Sequence, residues 1–443
     1  MRIQSKILIV GTVPYNQNST SRAFDAYFHY FFKENLAQIF SDTKTPCKGH
    51  CGTLYQITDY QMLQRWKHQI KETGKIFYYD DLPNNWEDNN DLEIDSEEAR
   101  RAYKIGRKHT SLIYLLRGIL WRKKYWCTPK LLKWLDEFKP ECIFLSFSDS
   151  FFIPQIALFV AKRYNIPIVS SIGDDYYFNN QEKRSVSYWL YKKLYKSLID
   201  KVLAWKGSAI YISDKIRDKY NKEFNLSGET VYLTSTIKRK KFSPIDLENP
   251  LITYFGNIRM GRNDSLYTIA TVLGRINPNY KLEIYSNEKD EEIYSKLIEH
   301  PNIIYGGTIP YEKVQEKMSR SDITIVVEGT KEKDIELSRY SLSTKAADTL
   351  ASGCSILVFG SIECGIIEYM KNTKAAIVCT KEEELENKIK DLLNNKVLQK
   401  KLYDQAIKIT KVNHTLESSC KVFETVVEKT LIKNKLYREK GFI

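Results

Sequence analysis

Short apolar runs alternate along this chain with polar stretches of helical period. In the first half, "KILIV", "TLYQIT", "KIFYYD", "CIFLSFS", "IPIVSSI", "SAIYIS" and "TVYLT" are strand-length and rich in β-branched and aromatic residues. Residues 21–35 predict an aromatic-rich helix, and residues 60–72 predict another. The acidic stretch "DDLPNNWEDNNDLEIDSEE" breaks the alternation and predicts a surface loop. In the second half, "LITYFG", "KLEIYS", "NIIYGG", "ITIVVEG", "SILVFG" and "AAIVC" are strands with helices between them. Runs of this kind, linked by helices, predict parallel sheets covered on both faces. A chain of 443 residues is too long for one ordinary core. It divides into a first domain over 1–241, a linker over 242–250 with two prolines, a second domain over 251–412, and a helical segment over 413–443 returning to the first domain.

Ligands of doubly wound sheets bind at the carboxyl ends of strands, so two facing domains place a site in their cleft. "YSLSTKAADTLASGCSILVFG", residues 340–360, reads as loop, helix, turn and strand. With Ser343 as the cap, Lys345, Asp348 and Ser352 share one face, and Ala346, Ala347, Leu350, Ala351 and Cys354 form the apolar side. Thr344 adds a hydroxyl, Lys345 a charge, and the helix start its dipole, which together suit an anion. Asp348 suits ribose hydroxyls, or an ion pair with Lys345 at i,i+3 spacing. "FGNIRMGRNDSL" places Gly256, Asn257, Arg259, Gly261 and Arg262 after a strand. Its two guanidinium groups suit a diphosphate, and a solvated basic turn has the same composition. Gly11 opens "GTVPYNQNSTSRAFDAYF" after the first strand, as a ligand loop or an ordinary turn; the stretch lacks GxGxxG, so nothing points to a dinucleotide cofactor. In "IPIVSSIGDDYY", Asp174 and Asp175 follow a strand, where a carboxylate orients or deprotonates a hydroxyl, or holds a turn.

The formal charge of +13 suits nucleic acid, an anionic membrane or phosphate-bearing substrates. No helix-turn-helix, zinc-finger or RNP-like segment supports nucleic acid. "LIYLLRGILWRKKYWCTPKLLKWL", residues 112–135, mixes tryptophan, leucine and basic residues, as does a membrane-interface surface or an amphipathic helix pair on a sheet. Residues 142–160 are broken by Asp149, Pro154 and Gln155, unlike a spanning helix, and the first apolar run is too short for a signal peptide. Eight scattered cysteines indicate reduced thiols and a cytoplasmic protein. Cys47, His50 and Cys51 in "CKGHC" have ligand chemistry, but no nearby second pair completes a zinc site.

Through "YFGNIRMGR", "SDITIVVEG", "YSLSTKAADTLASGCSILVFG" and the linker-like "TSTIKRKKFSP", the chain resembles retaining glycosyltransferases of the GT-B fold in glycosyltransferase family 4. It looks most like bacterial members that build capsular polysaccharide or lipopolysaccharide. The resemblance covers the second domain well and the first mainly by architecture. It implies an α/β fold of two doubly wound Rossmann-like domains facing across a cleft, with C-terminal helices. It implies a nucleotide-sugar donor and a glycan or lipid-linked acceptor in cell-surface polysaccharide biosynthesis, with no bound metal or other cofactor. A peripheral membrane contact and the absence of a nucleic-acid partner fit the same reading.

Carried over by residue, the resemblance sets Asn257 and Arg262 at the donor diphosphate. Ser341, Leu342 and Ser343 replace a Gly-Phe-Gly loop, and Thr344 and Lys345 follow it. Asp348 takes the ribose-binding place of the second glutamate of a Glu-x7-Glu motif. The first glutamate falls at Tyr340, with Glu336 a substitute only if the loop is rearranged. Gly173 stands for a frequent histidine, and Asp174 keeps the following aspartate, so Asp174, with Asp175 beside it, is the catalytic candidate. The donor side comprises Gly11, Asn257, Arg259, Arg262, Ser343, Thr344, Lys345 and Asp348. A sugar-nucleotide epimerase of the same fold is the rival enzyme, and a basic nucleic-acid-binding protein the rival from another class.

Overall fold

A computed structural model describes residues 5–15, 21–84, 97–106, 110–178 and 185–439. Residues 16–20 of the loop after the first strand, and 85–96 within the acidic stretch, lie outside the described residues. The chain forms two compact units. The first comprises Met1–Tyr211, Arg217–Val231 and Cys420–Ile443; the second comprises Ile212–Ile216 and Tyr232–Ser419.

The first unit holds eight strands: β1 (Ile7–Val10), β2 (Leu36–Phe40), β3 (Thr53–Gln56), β4 (Lys75–Tyr78), β5 (Cys142–Ser146), β6 (Ile168–Ile172), β7 (Gly207–Tyr211) and β8 (Glu229–Thr230). Their order is β4-β3-β2-β1-β5-β6-β7-β8, and only the β3–β4 pairing is antiparallel. The helix predicted over 21–35 stops at Phe28, and β2 follows beside β1. Its glutamine hid this strand: Gln38 is fully buried, with its Nε2 donating to the Thr12 carbonyl at 2.7 Å. The helix predicted over 60–72 is Asp59–Trp66, capped by Thr58, and His68 beyond it takes a left-handed backbone at φ 61°. Of "TVYLT" only Thr230 enters the sheet, as the second residue of β8.

The tryptophans of residues 112–135 belong to the core. Trp121 stacks on Phe152 with centroids 3.7 Å apart, Trp126 Nε1 donates to the Trp121 carbonyl, and Trp134 Nε1 donates to Thr53 Oγ1. Apolar surface remains on the helices Ser111–Leu120 and Val186–Leu203, which pack together. Leu112, Leu116 and Ile119 on one, and Val186, Trp189, Leu190 and Leu194 on the other, are exposed. The final helix, Leu416–Glu439, brings Phe423, Val426 and Val427 into this unit's core, where Phe423 packs edge-on against Phe28 and Phe144. No helix among the described residues is long and apolar enough to cross a membrane.

The second unit is wholly parallel: β9 (Ile252–Phe255), β10 (Leu282–Tyr285), β11 (Ile303–Gly307), β12 (Ile323–Val327), β13 (Ser355–Phe359) and β14 (Ile377–Cys379), in the order β11-β10-β9-β12-β13-β14. Every residue of β9 and β12 is buried, Thr253 and Thr324 included, as in the central strands of a sheet covered on both faces. These two strands pair only at Ile252–Ile323 and Thr253–Thr324 and separate beyond. The strand order reverses at this pair, so a crevice opens between their carboxyl ends.

Candidate functional site

The crevice collects groups from three loops. From β9 comes Tyr254, with Gly256 just past its end; from the start of the helix Arg262–Ile276 comes Arg262; past β12 stands Glu328; and the helix Lys345–Ser352 supplies Lys345. Arg262 donates through Nε to Glu328 Oε2 at 2.9 Å and through Nη2 to Oε1 at 3.0 Å. The pair is well covered, with side-chain exposures of 13% and 3%. Burial pushes the Glu328 carboxyl up, against the pull of Arg262. Ser265 Oγ donates to the Glu328 carbonyl at 2.7 Å and ties the end of β12 to the adjoining helix.

Lys345 Nζ donates to Tyr254 OH at 2.9 Å and lies 4.5 Å from the centre of that ring. Gly256 has φ 126°, a backbone that favours glycine, and its open face is filled by the end of the Lys345 side chain. The residue keeps part of its surface open, but its amine is packed round by protein. Burial, and then the charge of Arg262, pull that amine down to about 7, with Glu328 opposing. Two cations and a carboxylate therefore meet at the switch point of a parallel sheet. The chemistry of such a cluster suits an anion and charge that develops on one.

The other donor-side candidates are placed differently. Arg259 is forked onto Glu288 at 2.6 and 2.7 Å, on the surface, so the cations the structure brings together are Arg262 and Lys345. Asn257 shapes the loop: its Oδ1 accepts from Arg259 N at 2.6 Å and its carbonyl accepts from Tyr254 OH at 2.5 Å. The helix begins at Lys345 with Thr344, exposed and already helical, in the cap position and no side-chain cap bond. Ser343, expected as the cap, accepts from Lys345 N at 3.4 Å through Oγ.

Asp348 is buried, not on an open polar face, because the whole stretch Ala346 to Ser352 is buried. Its oxygens accept from Ser235 Oγ at 2.6 Å and Tyr311 OH at 3.2 Å, while Lys345 turns to Tyr254 instead of pairing with it. Glu336 is exposed on its helix. The carboxylate beside the two cations is Glu328, a residue that its apolar strand, "ITIVVEG", gave no reason to single out.

In the first unit, Gly11 follows β1 at φ 97°, where a Cβ would strike Ile153 and the Ser146 carbonyl. Close packing therefore explains that glycine. Beyond β6 the Asp174–Asp175 turn is firmly held. Asp175 Oδ1 accepts from Tyr177 N at 3.2 Å, Phe178 N at 2.8 Å and Tyr220 OH at 2.9 Å. Lys192 Nζ donates to the Tyr176 carbonyl at 2.8 Å, and burial lowers this amine to about 8. Asp174 is exposed yet has protein mass around it, and this desolvation raises its carboxyl, with Tyr176 opposing and Asp175 adding. Of the two carboxylates, Asp174 is the more exposed, and its Oδ2 accepts from Tyr176 OH at 3.5 Å.

Cys47 Sγ donates to the Tyr15 carbonyl, His50 Nε2 meets Asp25 Oδ1 at 2.9 Å, and Cys51 is buried with its thiol pushed up to about 12. Among the described residues, no group of three His, Cys, Asp or Glu side chains is placed to hold a metal.

No family model matches the chain. No curated protein matches it. Solved structures do. The chain is similar to WaaG, a glycosyltransferase involved in lipopolysaccharide biosynthesis, at 11% identity over 95% of this chain and 99% of that one, with TM-score 0.53. It is similar to HepE of Anabaena in complex with UDP and glucose, at 11% identity over 96% and 100%, with TM-score 0.55. It is also similar to α,α-trehalose 6-phosphate synthase of Burkholderia multivorans, at 8% identity over 98% and 100%, with TM-score 0.55. At such identities the likeness is one of fold: two Rossmann-like α/β units of the GT-B class.

Proposed function

We propose that this chain is a glycosyltransferase that moves a sugar from a nucleotide-sugar donor to a hydroxyl of a glycan or lipid-linked acceptor. The observation that carries this reading is the meeting of Arg262, Lys345 and a helix start between β9 and β12. A donor diphosphate seated there would have its leaving charge stabilised as the glycosidic bond breaks, by the chain's own cations and without a metal. The solved structures with the same fold include one holding UDP and glucose. Asp348, the candidate for the donor's ribose, is buried and already accepts from Ser235 and Tyr311. Asp174 is the candidate for orienting or deprotonating the acceptor hydroxyl. Retention of anomeric configuration belongs to the same reading and is decided by NMR of the product anomer.

A lipid-linked acceptor in cell-surface polysaccharide biosynthesis is favoured by the exposed apolar face of Ser111–Leu120 and Val186–Leu203. Exposed Arg122, Lys123, Lys124 and Lys193 accompany it, and neither helix carries a carboxylate before Asp200. An anionic bilayer at the inner face of the cell membrane fits that combination.

The test is a panel of nucleotide sugars, scored by thermal stabilisation and then by transfer to saccharide acceptors. One donor should raise the melting temperature and yield a glycosylated product. An isomerised nucleotide sugar in place of transfer would make the protein an epimerase.

A further inference from the structure

A carboxylate inside a phosphate cradle needs a reason. Arg262 and Lys345 lie in one crevice, largely out of water, and like charges so placed repel. Glu328 offsets that repulsion, and it does so at the edge of Arg262 formed by Nε and Nη2. A guanidinium fork fits carboxylate and phosphate oxygens equally well. The edge a diphosphate would grip is therefore already held.

We propose that Glu328 sets the affinity of the donor site: its carboxylate occupies Arg262 in the empty site and competes there with the ligand's phosphates. The inference rests on the donor-site reading above. An incoming diphosphate either displaces Glu328 from the fork or binds Arg262 elsewhere while facing a carboxylate of its own sign. Both routes weaken its hold. The consequence falls on the nucleoside diphosphate product, which leaves the site more readily than two uncompensated cations would allow. Burial holds the Glu328 carboxyl above its ordinary range, which fits a group whose charge is tolerated only through its partner. Two features keep it aimed at Arg262: the bond from Ser265 to its own carbonyl and its place directly after a fully buried strand.

The experiment is calorimetric titration of UDP, ADP and GDP into the parent chain and into variants. Glu328→Gln keeps the side chain's shape and removes its charge, so it should bind the preferred diphosphate about tenfold more tightly or better. Its turnover should fall through slower product release, seen as a burst in the first turnover. Equal or weaker binding by Glu328→Gln overturns the proposal and makes Glu328 a ligand contact or a scaffold. If that variant does not fold, Arg262→Met is compared with Arg262→Met/Glu328→Met. The single change leaves a bare carboxylate in the cradle, so the double variant should bind at least about tenfold more tightly than the single. Equal affinities for the two also overturn the proposal. If the parent itself binds none of the three diphosphates, the donor-site reading falls, and that result shows in the parent rather than in any variant.

Discussion

Lys345 is the residue on which the site's pH behaviour turns. Its amine, lowered to about 7 by burial and by Arg262, is partly neutral at neutral pH in the empty site, whereas a bound diphosphate favours the charged form. Affinity for nucleoside diphosphate should therefore be greatest below pH 7 and fall as pH rises above it. Lys345→Arg should flatten that profile, and Lys345→Ala should cost about 1.5–3 kcal/mol of binding at pH 6.5. A titration series from pH 6 to 9 reads all three, and a flat parental profile would count against the assignment. The two aspartates after β6 separate just as sharply. Asp174→Asn should leave diphosphate binding intact and slow transfer about 10²-fold. Asp175→Ala should act on stability, by about 1–3 kcal/mol, because it strips three hydrogen bonds from the turn. A denaturation curve and a rate for each variant tell the two effects apart. The repeated pair "DD" was legible in the sequence. Which carboxylate builds the turn was not, because Tyr220, one of the groups that decides it, lies 45 residues away.

At the scale of elements, a helix's periodicity says that it has an inner face, and only its neighbours say how much of the rest is covered. Residues 112–135 read as one basic and aromatic stretch, but the three tryptophans turn inward onto Phe152, Thr53 and the chain itself. The exposed apolar stripe arises where Ser111–Leu120 meets Val186–Leu203, a helix more than sixty residues later. Vesicle flotation should show retention on anionic lipid that falls with added salt, and Trp189→Asp with Leu190→Glu should abolish it without loss of fold. Equal recovery on neutral lipid would favour a soluble acceptor. β2 makes the same point from the other side. Its glutamine broke the apolar run, and Thr12, on the neighbouring loop, takes the amide's donor.

For the whole molecule, the chain's path matters more than its composition. The first unit is completed by its last helix, whose Phe423 is fully buried among aromatic rings from β5 and from Ser21–Phe28. Phe423→Ala should destabilise that unit by about 3–5 kcal/mol, seen as an earlier transition in calorimetry. A single unchanged transition would show the helix to be dispensable. The α/β class, the two doubly wound halves and the cationic character of the β9 and Lys345 loops were set by the sequence itself. Apolar period and loop chemistry are local properties, and they survive whatever the rest of the chain does. Only the tertiary structure decided which cations converge, that Arg259 leaves for Glu288, and that Asp348 goes under cover. It alone placed Glu328 between the charges. Those outcomes depend on pairings 29 to 113 residues apart, and a buried charge is settled by whichever partner the fold brings within reach.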